Sequence, residues 1–245
     1  MNIIPKTIHY CWFGQNEMPI KLQKYVEGWK KSLPDYEFIL WNEDNYNIQK
    51  NDYIKEAYAN KKWAFVSDYV RLDALNQHGG IYLDSDIELL SSFDSLLINE
   101  AFIGFESRYK VGSAVIGSTK QNPWINSLLD QYQNKNFIQN GELDTTPNTD
   151  IITRQMIKKY DLKLNNRLQY LDFVTVYPRD YFYPEHLITH KLNLTDNSIC
   201  IHHWENSWGK NNTNPIKNNL KKTIYFFLGE TITEEAFKII KKAKQ

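Results

Sequence analysis

The spacing of apolar positions changes period several times along the chain, and the changes mark an alternation of strands and helices. Residues 6–13 (KTIHYCWF) are a short β-branched and aromatic run stopped by Gly14, which predicts a buried strand. A loop through Pro19 leads into helical spacing over residues 20–32. Pro34 and Asp35 break it, and residues 36–41 (YEFILW) predict a second strand. Strand, helix, strand is the unit of a parallel α/β sheet. After a polar loop over 42–51, apolar residues recur at helical spacing from 53 to 78 (Ile54, Ala57, Tyr58, Phe65, Tyr69, Leu72, Leu75). They predict one helix, ended by Gly79 and Gly80. Residues 81–83 then predict a short strand running directly into Asp84, Ser85 and Asp86.

Further strands are predicted at 101–105, 113–116, 171–177 and 198–202, with helices at 123–133 and 149–160. Residues 134–148 read as a polar loop, 177–186 as a Tyr/Pro-rich loop, and the stretch from 214 onward as a basic helix. Either Asn148 or Thr149 would serve as the N-cap of the helix that follows. No internal repeat or low-complexity block is present. The expected organisation is one α/β domain over 1–213 and a helical extension over 214–245.

Composition narrows the function classes. The 245 residues carry 29 Lys plus Arg against 29 Asp plus Glu, so no global field recruits nucleic acid. Cys11 and Cys200 are the only cysteines, too few for a disulfide scaffold, and read as small core residues. The N-terminal sequence lacks a basic segment followed by a long apolar run, and no stretch approaches the roughly 18 apolar residues of a spanning helix. The expectation is a soluble, cytoplasmic protein. Sixteen Tyr and seven Trp exceed the ordinary needs of a core, and such side chains suit a sugar ring or a nucleobase.

The chemistry concentrates between Ser67 and Asp86. Two carboxylates one residue apart at a strand end point the same way and repel, unless a hard divalent cation such as Mg²⁺ or Mn²⁺ lies between them. The D-x-D pattern is common by chance, and its force comes from its neighbours. Asp68 and Arg71, at i and i+3 on the preceding helix, either form an ordinary surface ion pair, worth about 0–1 kcal/mol, or present an acceptor and a donor fork to sugar hydroxyls.

The joint spacing of Ser67, Asp68, Arg71, Leu75, Gly79, Gly80, Tyr82, Asp84 and Asp86 resembles the signature of glycosyltransferase family 32, the DXD-containing sugar transferases. That group includes yeast-type mannosyltransferases and bacterial capsule enzymes, and large clostridial glucosylating toxins share the signature. The segment from Ile8 to Gly14 is similar to the strand whose Trp stacks on the nucleobase in these families. The run His202, His203, Trp204, Glu205, Asn206, Ser207, Trp208 is similar to their closing H-H-x-x-x-S-W element.

The resemblance implies a GT-A type nucleotide-sugar-binding fold, a mixed and mostly parallel sheet flanked by helices. It implies Asp86 as direct metal ligand, and Asp84 on the ribose, the metal's water shell or both. Asp68 and Arg71 would hold sugar hydroxyls. Trp12 would lie on the base with the backbone near Ile8, His9 and Tyr10 reading its edge. Ser67, Tyr82, Ser85, Ser207 and Trp208 would line the donor site, with Trp208 over the phosphates or sugar. His203 and Asn206 would complete the metal shell, with His202 and Ser207 as alternatives, and an imidazole ligand favours Mn²⁺ over Mg²⁺.

The implied activity is metal-dependent, retaining transfer of a hexose, from UDP-galactose or UDP-glucose first, to a glycan or lipid-linked oligosaccharide in bacterial surface polysaccharide synthesis. With no buried nucleophilic carboxylate evident in the sequence, the expected route is front-face substitution in which the leaving phosphate takes the acceptor proton. Asp150 and the loop 177–186 are candidates for the acceptor side. The lysines from Lys217 to Lys244, mixed with Ile224, Tyr225, Phe226, Phe227 and Leu228, suit either peripheral contact with an anionic membrane or a helix packed on the domain. Rival readings are a non-catalytic carbohydrate-binding protein of the same fold, a GDP-mannose-dependent mannosyltransferase, and a phosphotransferase or hydrolase. The last has neither a P-loop nor an H-E-x-x-H motif to support it.

Overall fold

The computed structural model describes residues 3–205. In chain order the elements are β1 (Thr7–Cys11), α1 (Ile20–Ser32), β2 (Glu37–Trp41), α2 (Asp52–Ala59), α3 (Trp63–His78), β3 (Gly80–Leu83), β4 (Ile87–Leu89), β5 (Ala101–Ser107), β6 (Lys110–Ser118), α4 (Pro123–Leu129), β7 (Ile138–Gln139), β8 (Glu142–Leu143), α5 (Asn148–Tyr160), β9 (Gln169–Leu171), β10 (Val174–Tyr177) and β11 (Cys200–His202). Seven strands form one mixed sheet in the order β2-β1-β3-β6-β5-β10-β9. β1 runs parallel to both β2 and β3, and β10 parallel to β5. The other three pairings are antiparallel, so the sheet is evenly mixed where a mostly parallel one was expected.

Each sheet face has its own core. On one side Val66, Val70, Leu72, Leu75, Trp124, Ile152 and Met156 pack on Tyr82, Ile103, Phe105 and Ile116. On the other, Val26, Trp29, Phe93, Phe182, Tyr183 and Cys200 pack on Ile8, Ile81, Leu83 and Phe102. Trp29 is fully buried, and its indole N–H donates to the Ile87 carbonyl at 2.7 Å, tying α1 to β4. β4 pairs with β11 in a separate two-stranded ribbon, with Ile87 opposite His202. That ribbon brings a distant part of the chain to the end of β3.

Several boundaries differ from expectation. The helix expected over 53–78 is two: Asn51 caps α2 through Ile54 N–H at 2.9 Å, and Lys61 at φ 56° turns the chain before α3. The turn Asn60-Lys61-Lys62 contains no Gly or Pro and leaves the apolar spacing in phase, so the break has no sequence signal. The strand expected over 171–177 is the hairpin β9–β10, turned at Phe173 with φ 65°. Residues 134–148 contain the small hairpin β7–β8. Neither Asn148 nor Thr149 caps α5: Pro147 holds the cap position, and Asn148 is buried in the first turn. Both cysteines are free and buried, as expected, and burial pushes the Cys11 thiol up to about 12 and the Cys200 thiol higher still. The extension over 214–245 lies outside the described residues, and among those described no helix is long and apolar enough to cross a membrane.

The turn between α3 and β3 sets where the D-x-D segment emerges. Gly79 and Gly80 have φ of 69° and 103°, and a Cβ on Gly80 would stand 2.5 Å from the Thr7 carbonyl oxygen on β1. Gly80→Ala is therefore expected to lower stability by about 1–3 kcal/mol in urea unfolding. Gly28→Ala, in open space on α1, is expected to raise it by about 0.4–1 kcal/mol.

Candidate active site

Helix α3 is buried nearly all round, with Val66, Ser67, Tyr69, Val70, Arg71, Leu72, Asp73, Ala74 and Leu75 all shielded. Arg71 therefore enters the interior with its charge. Its Nε–H donates to the Ser67 carbonyl at 3.3 Å, and Nη1 to the carbonyl and hydroxyl of Ser113 at 2.6 and 2.9 Å. Nη2 lies 3.0 Å from Asp68 and 3.4 Å from Asp84. The guanidinium also sits 4.6 Å from the Tyr82 ring centroid. Nε and Nη1 are spent on hydrogen bonds to the protein, and Nη2 on the two carboxylates. Arg71 is thus an organiser of Asp68 and Asp84, in place of the expected donor fork for sugar hydroxyls.

The neighbours follow the same logic. Tyr82 is buried, and its hydroxyl donates to the second contact of Arg71, Asp84 Oδ1, at 2.9 Å. The Ser67 hydroxyl bonds back to the Trp63 carbonyl at 3.1 Å, and Ser67 and Ser85 are both buried. Asp68 Oδ1 also accepts from Asn148 Nδ2 at 3.4 Å, and burial pushes the Asp68 carboxyl up to about 6 against the pull of Arg71. Asn148 is a site residue the sequence reading took for a cap.

At the head of β1 the expected base-reading backbone is already used. Ile8 and His9 pair with β2 on one side and β3 on the other, and the register with β3 stops at His9. The His9 ring is fully buried, with Nδ1 accepting from Trp41 Nε1–H at 3.2 Å and Nε2 donating to the Gly79 carbonyl at 2.7 Å. Burial brings its pKa down to about 4, so the neutral ring props the Gly79-Gly80 turn. Tyr10 packs edge-on against Trp29. Trp12, half-buried just past the end of β1, donates its indole N–H to the Asn16 carbonyl at 2.7 Å.

Asp84 and Asp86 do not converge by strand alternation. β3 ends at Leu83, and Ile87 N–H closes a turn on the Asp84 carbonyl at 3.1 Å. The turn leaves Asp84 partly open, its side chain 28% exposed, and buries Asp86 against β11. His202 Nε2 lies 3.3 Å from Asp86 Oδ1, while Glu205 N–H donates to Oδ2 at 2.8 Å. Burial would raise the Asp86 carboxyl, but the His202 ring and these hydrogen bonds hold it below the usual carboxylate range. The His202 ring, which burial would keep neutral, is raised by Asp86 in turn.

Asp84, Asp86 and His202 each offer a ligand atom, all within 4.8 Å of one another. His202 Nδ1 is also buried with no hydrogen-bond partner. Two carboxylates and one imidazole, already gathered and incompletely satisfied, fit a divalent cation. The expected ligand His203 is directed elsewhere: its Nε2 meets Glu88 at 2.7 Å, its Nδ1 meets Glu185 at 3.3 Å, and its ring stacks on Tyr25. Adjacent residues of an extended segment face opposite ways, so only one of the two histidines can join Asp86. Trp204 packs on His202 at 4.1 Å between centroids. Asn206, Ser207 and Trp208 lie outside the described residues.

Residues 19–103 match the family model described as "Glycosyltransferase sugar-binding region containing DXD motif". A mannosyl phosphorylinositol ceramide synthase of Saccharomyces cerevisiae is 31% identical over 134 residues, 52% of this chain and 34% of the relative. The inositol phosphoceramide mannosyltransferase 3 of Schizosaccharomyces pombe is 31% identical over 133 residues, 50% of this chain and 35% of the relative. The chain thus spans about a third of the length of these curated relatives. Among solved structures, the PaToxG glycosyltransferase aligns with a TM-score of 0.45 at 21% identity, over 64% of this chain and 69% of that one.

Two outcomes follow from the geometry. In calorimetric titration with Mn²⁺, Asp86→Ala and His202→Ala are expected to weaken binding by more than about tenfold, while His203→Ala leaves it within about threefold. Arg71→Met leaves the enclosed Asp68 and the partly open Asp84 without their cation and is expected to cost about 3–5 kcal/mol in chemical denaturation.

Proposed function

We propose that this protein is a metal-dependent glycosyltransferase that moves a hexose from a nucleotide sugar to a hydroxyl of a glycan or lipid-linked acceptor. The observation that carries the reading is the convergence of Asp84, Asp86 and His202 at the end of β3, within and beside the matched DXD region. A divalent cation held by these three residues would supply positive charge where the diphosphate leaving group accumulates negative charge. Arg71 and Tyr82 hold the Asp84 carboxylate aimed at that point. Trp12, at the open end of β1, offers an indole face to the base. Asp68, at the edge of the Arg71 network, is the side chain best placed to take a donor-sugar hydroxyl.

UDP-glucose and UDP-galactose remain the donors proposed from the resemblance. A mannose donor, GDP-mannose, is the second reading, and the names of the yeast relatives, a mannosyl phosphorylinositol ceramide synthase and an inositol phosphoceramide mannosyltransferase, favour it. Those names also make an inositol-phosphate lipid a candidate acceptor beside the lipid-linked oligosaccharide of surface polysaccharide synthesis. A cytoplasmic protein in peripheral contact with the membrane through the basic extension is consistent with either acceptor.

The test is release of nucleoside diphosphate from a panel of UDP- and GDP-sugars. Release is expected with one donor in Mn²⁺, falling to background in EDTA and by more than about 100-fold in Asp86→Ala. No release from any donor would favour a carbohydrate-binding module. The product of an α-linked donor is expected to keep the α configuration by NMR, and a β-linked product would overturn the retaining, front-face route.

A further inference from the structure

One carboxylate near this centre belongs to neither the DXD motif nor the family signature. Glu106 stands one residue before the end of β5. Along that strand Ala101, Ile103 and Phe105 enter the core under α3, whereas Phe102 enters the opposite core. A Cβ on Gly104 would meet the Phe182 ring, so Glu106 continues the row that faces Phe182 and Tyr183. The Tyr183 ring lies flush against Gly112 on β6, and its hydroxyl accepts from Val115 N–H at 3.2 Å. The Tyr183 ring also packs edge-on against the ring of His202, 5.8 Å between centroids, beside Asp84 and Asp86. Glu106 therefore lies across Tyr183 from the D-x-D turn.

Its surroundings are unusual for a structural carboxylate. The side chain is only 12% exposed, and the nearest cation among the described residues, Lys110 Nζ, is 3.8 Å away, beyond hydrogen-bond distance. Lys110 is held instead by Asp150, at 3.0 Å, from the first turn of α5. The other charges acting on Glu106 are those of His202, Asp150 and Arg179. A carboxylate this enclosed without a closely bonded donor is costly to keep for packing alone. Lys110 links it to Asp150 on one side, and the Tyr183 ring separates it from His202 of the metal cluster on the other.

We propose that Glu106 is the catalytic base of the transfer. The acceptor hydroxyl oxygen bonds the anomeric carbon, the bond from that carbon to the diphosphate breaks, and the nucleoside diphosphate leaves with the electron pair. The hydroxyl proton passes to the Glu106 carboxylate, and not to the leaving phosphate. The proposal rests on the transferase reading above. Burial, opposed chiefly by Lys110, pushes the Glu106 carboxyl up to about 7. The carboxylate form is then scarce below neutral pH and abundant above it, so transfer should rise through neutrality and level off.

The experiment compares the full chain with Glu106→Gln and Glu106→Asp, using the donor that wild type cleaves and methyl glycosides and water as acceptors. Glu106→Gln is expected to lower kcat by about 100-fold or more, with donor KM and Mn²⁺ affinity unchanged and the acid limb of the pH profile gone. Formate added to Glu106→Gln restores part of the rate, and Glu106→Asp keeps part of it. Transfer within about threefold of wild type would overturn the assignment, as would a loss that leaves the pH profile intact and follows a lowered melting temperature. A wild-type protein inert toward every donor would instead overturn the transferase reading itself.

Discussion

Burying the Arg71 guanidinium commits a large part of this molecule to one arrangement. The effective penalty for removing such a cation from water is several kcal/mol, and it is offset only if every donor finds an acceptor. The acceptors come from four places: the preceding turn of α3, Ser113 on β6, Asp68 on the same helix, and Asp84 beyond β3. Shifting any one element strands a charge. The position of Asp84 is thus set by the electrostatics of the interior, and the turn that carries Asp86 follows from it.

A second constraint closes the site from the far end of the described chain. β11 pairs with β4 directly after the D-x-D turn, and its register delivers His202 opposite Ile87. His203, one residue on, is clamped between Glu88 and Glu185 and stacked on Tyr25. That clamp holds the segment in place without using the ring that faces Asp86. The metal-ligand set is therefore divided between a local motif and a strand more than a hundred residues away, and both parts must fold before the site exists.

Polar groups in this region fall into two kinds. Tyr82, Ser67, Arg71 and His9 have their hydrogen-bonding capacity consumed by the protein, and they act by aiming others. His202 keeps a buried ring nitrogen with no partner, Asp84 stays partly open, and Glu106 has its nearest cation at 3.8 Å, the condition under which such groups are kept for chemistry. The resemblance to sugar transferases named residues of both kinds together, because a motif records which residues recur and does not record which of them face the cleft.

The sequence by itself determined the strand, helix, strand opening, the Gly79-Gly80 stop and the placement of two aspartates just past a buried strand, because each rests on local period or on backbone freedom. The resemblance pointed to the segment beginning at His202, and the structure sets His202 beside those aspartates. Tertiary structure alone decided that His202 and not His203 meets Asp86, since that depends on the register of β11 against β4. It decided that Arg71 turns inward, since that depends on α3 being enclosed on all sides. It also decided that Glu106 is enclosed on the Tyr183 side of the sheet, since an isolated Glu near a strand end has no sequence signal until Tyr183 and Gly112 fix what stands across from it.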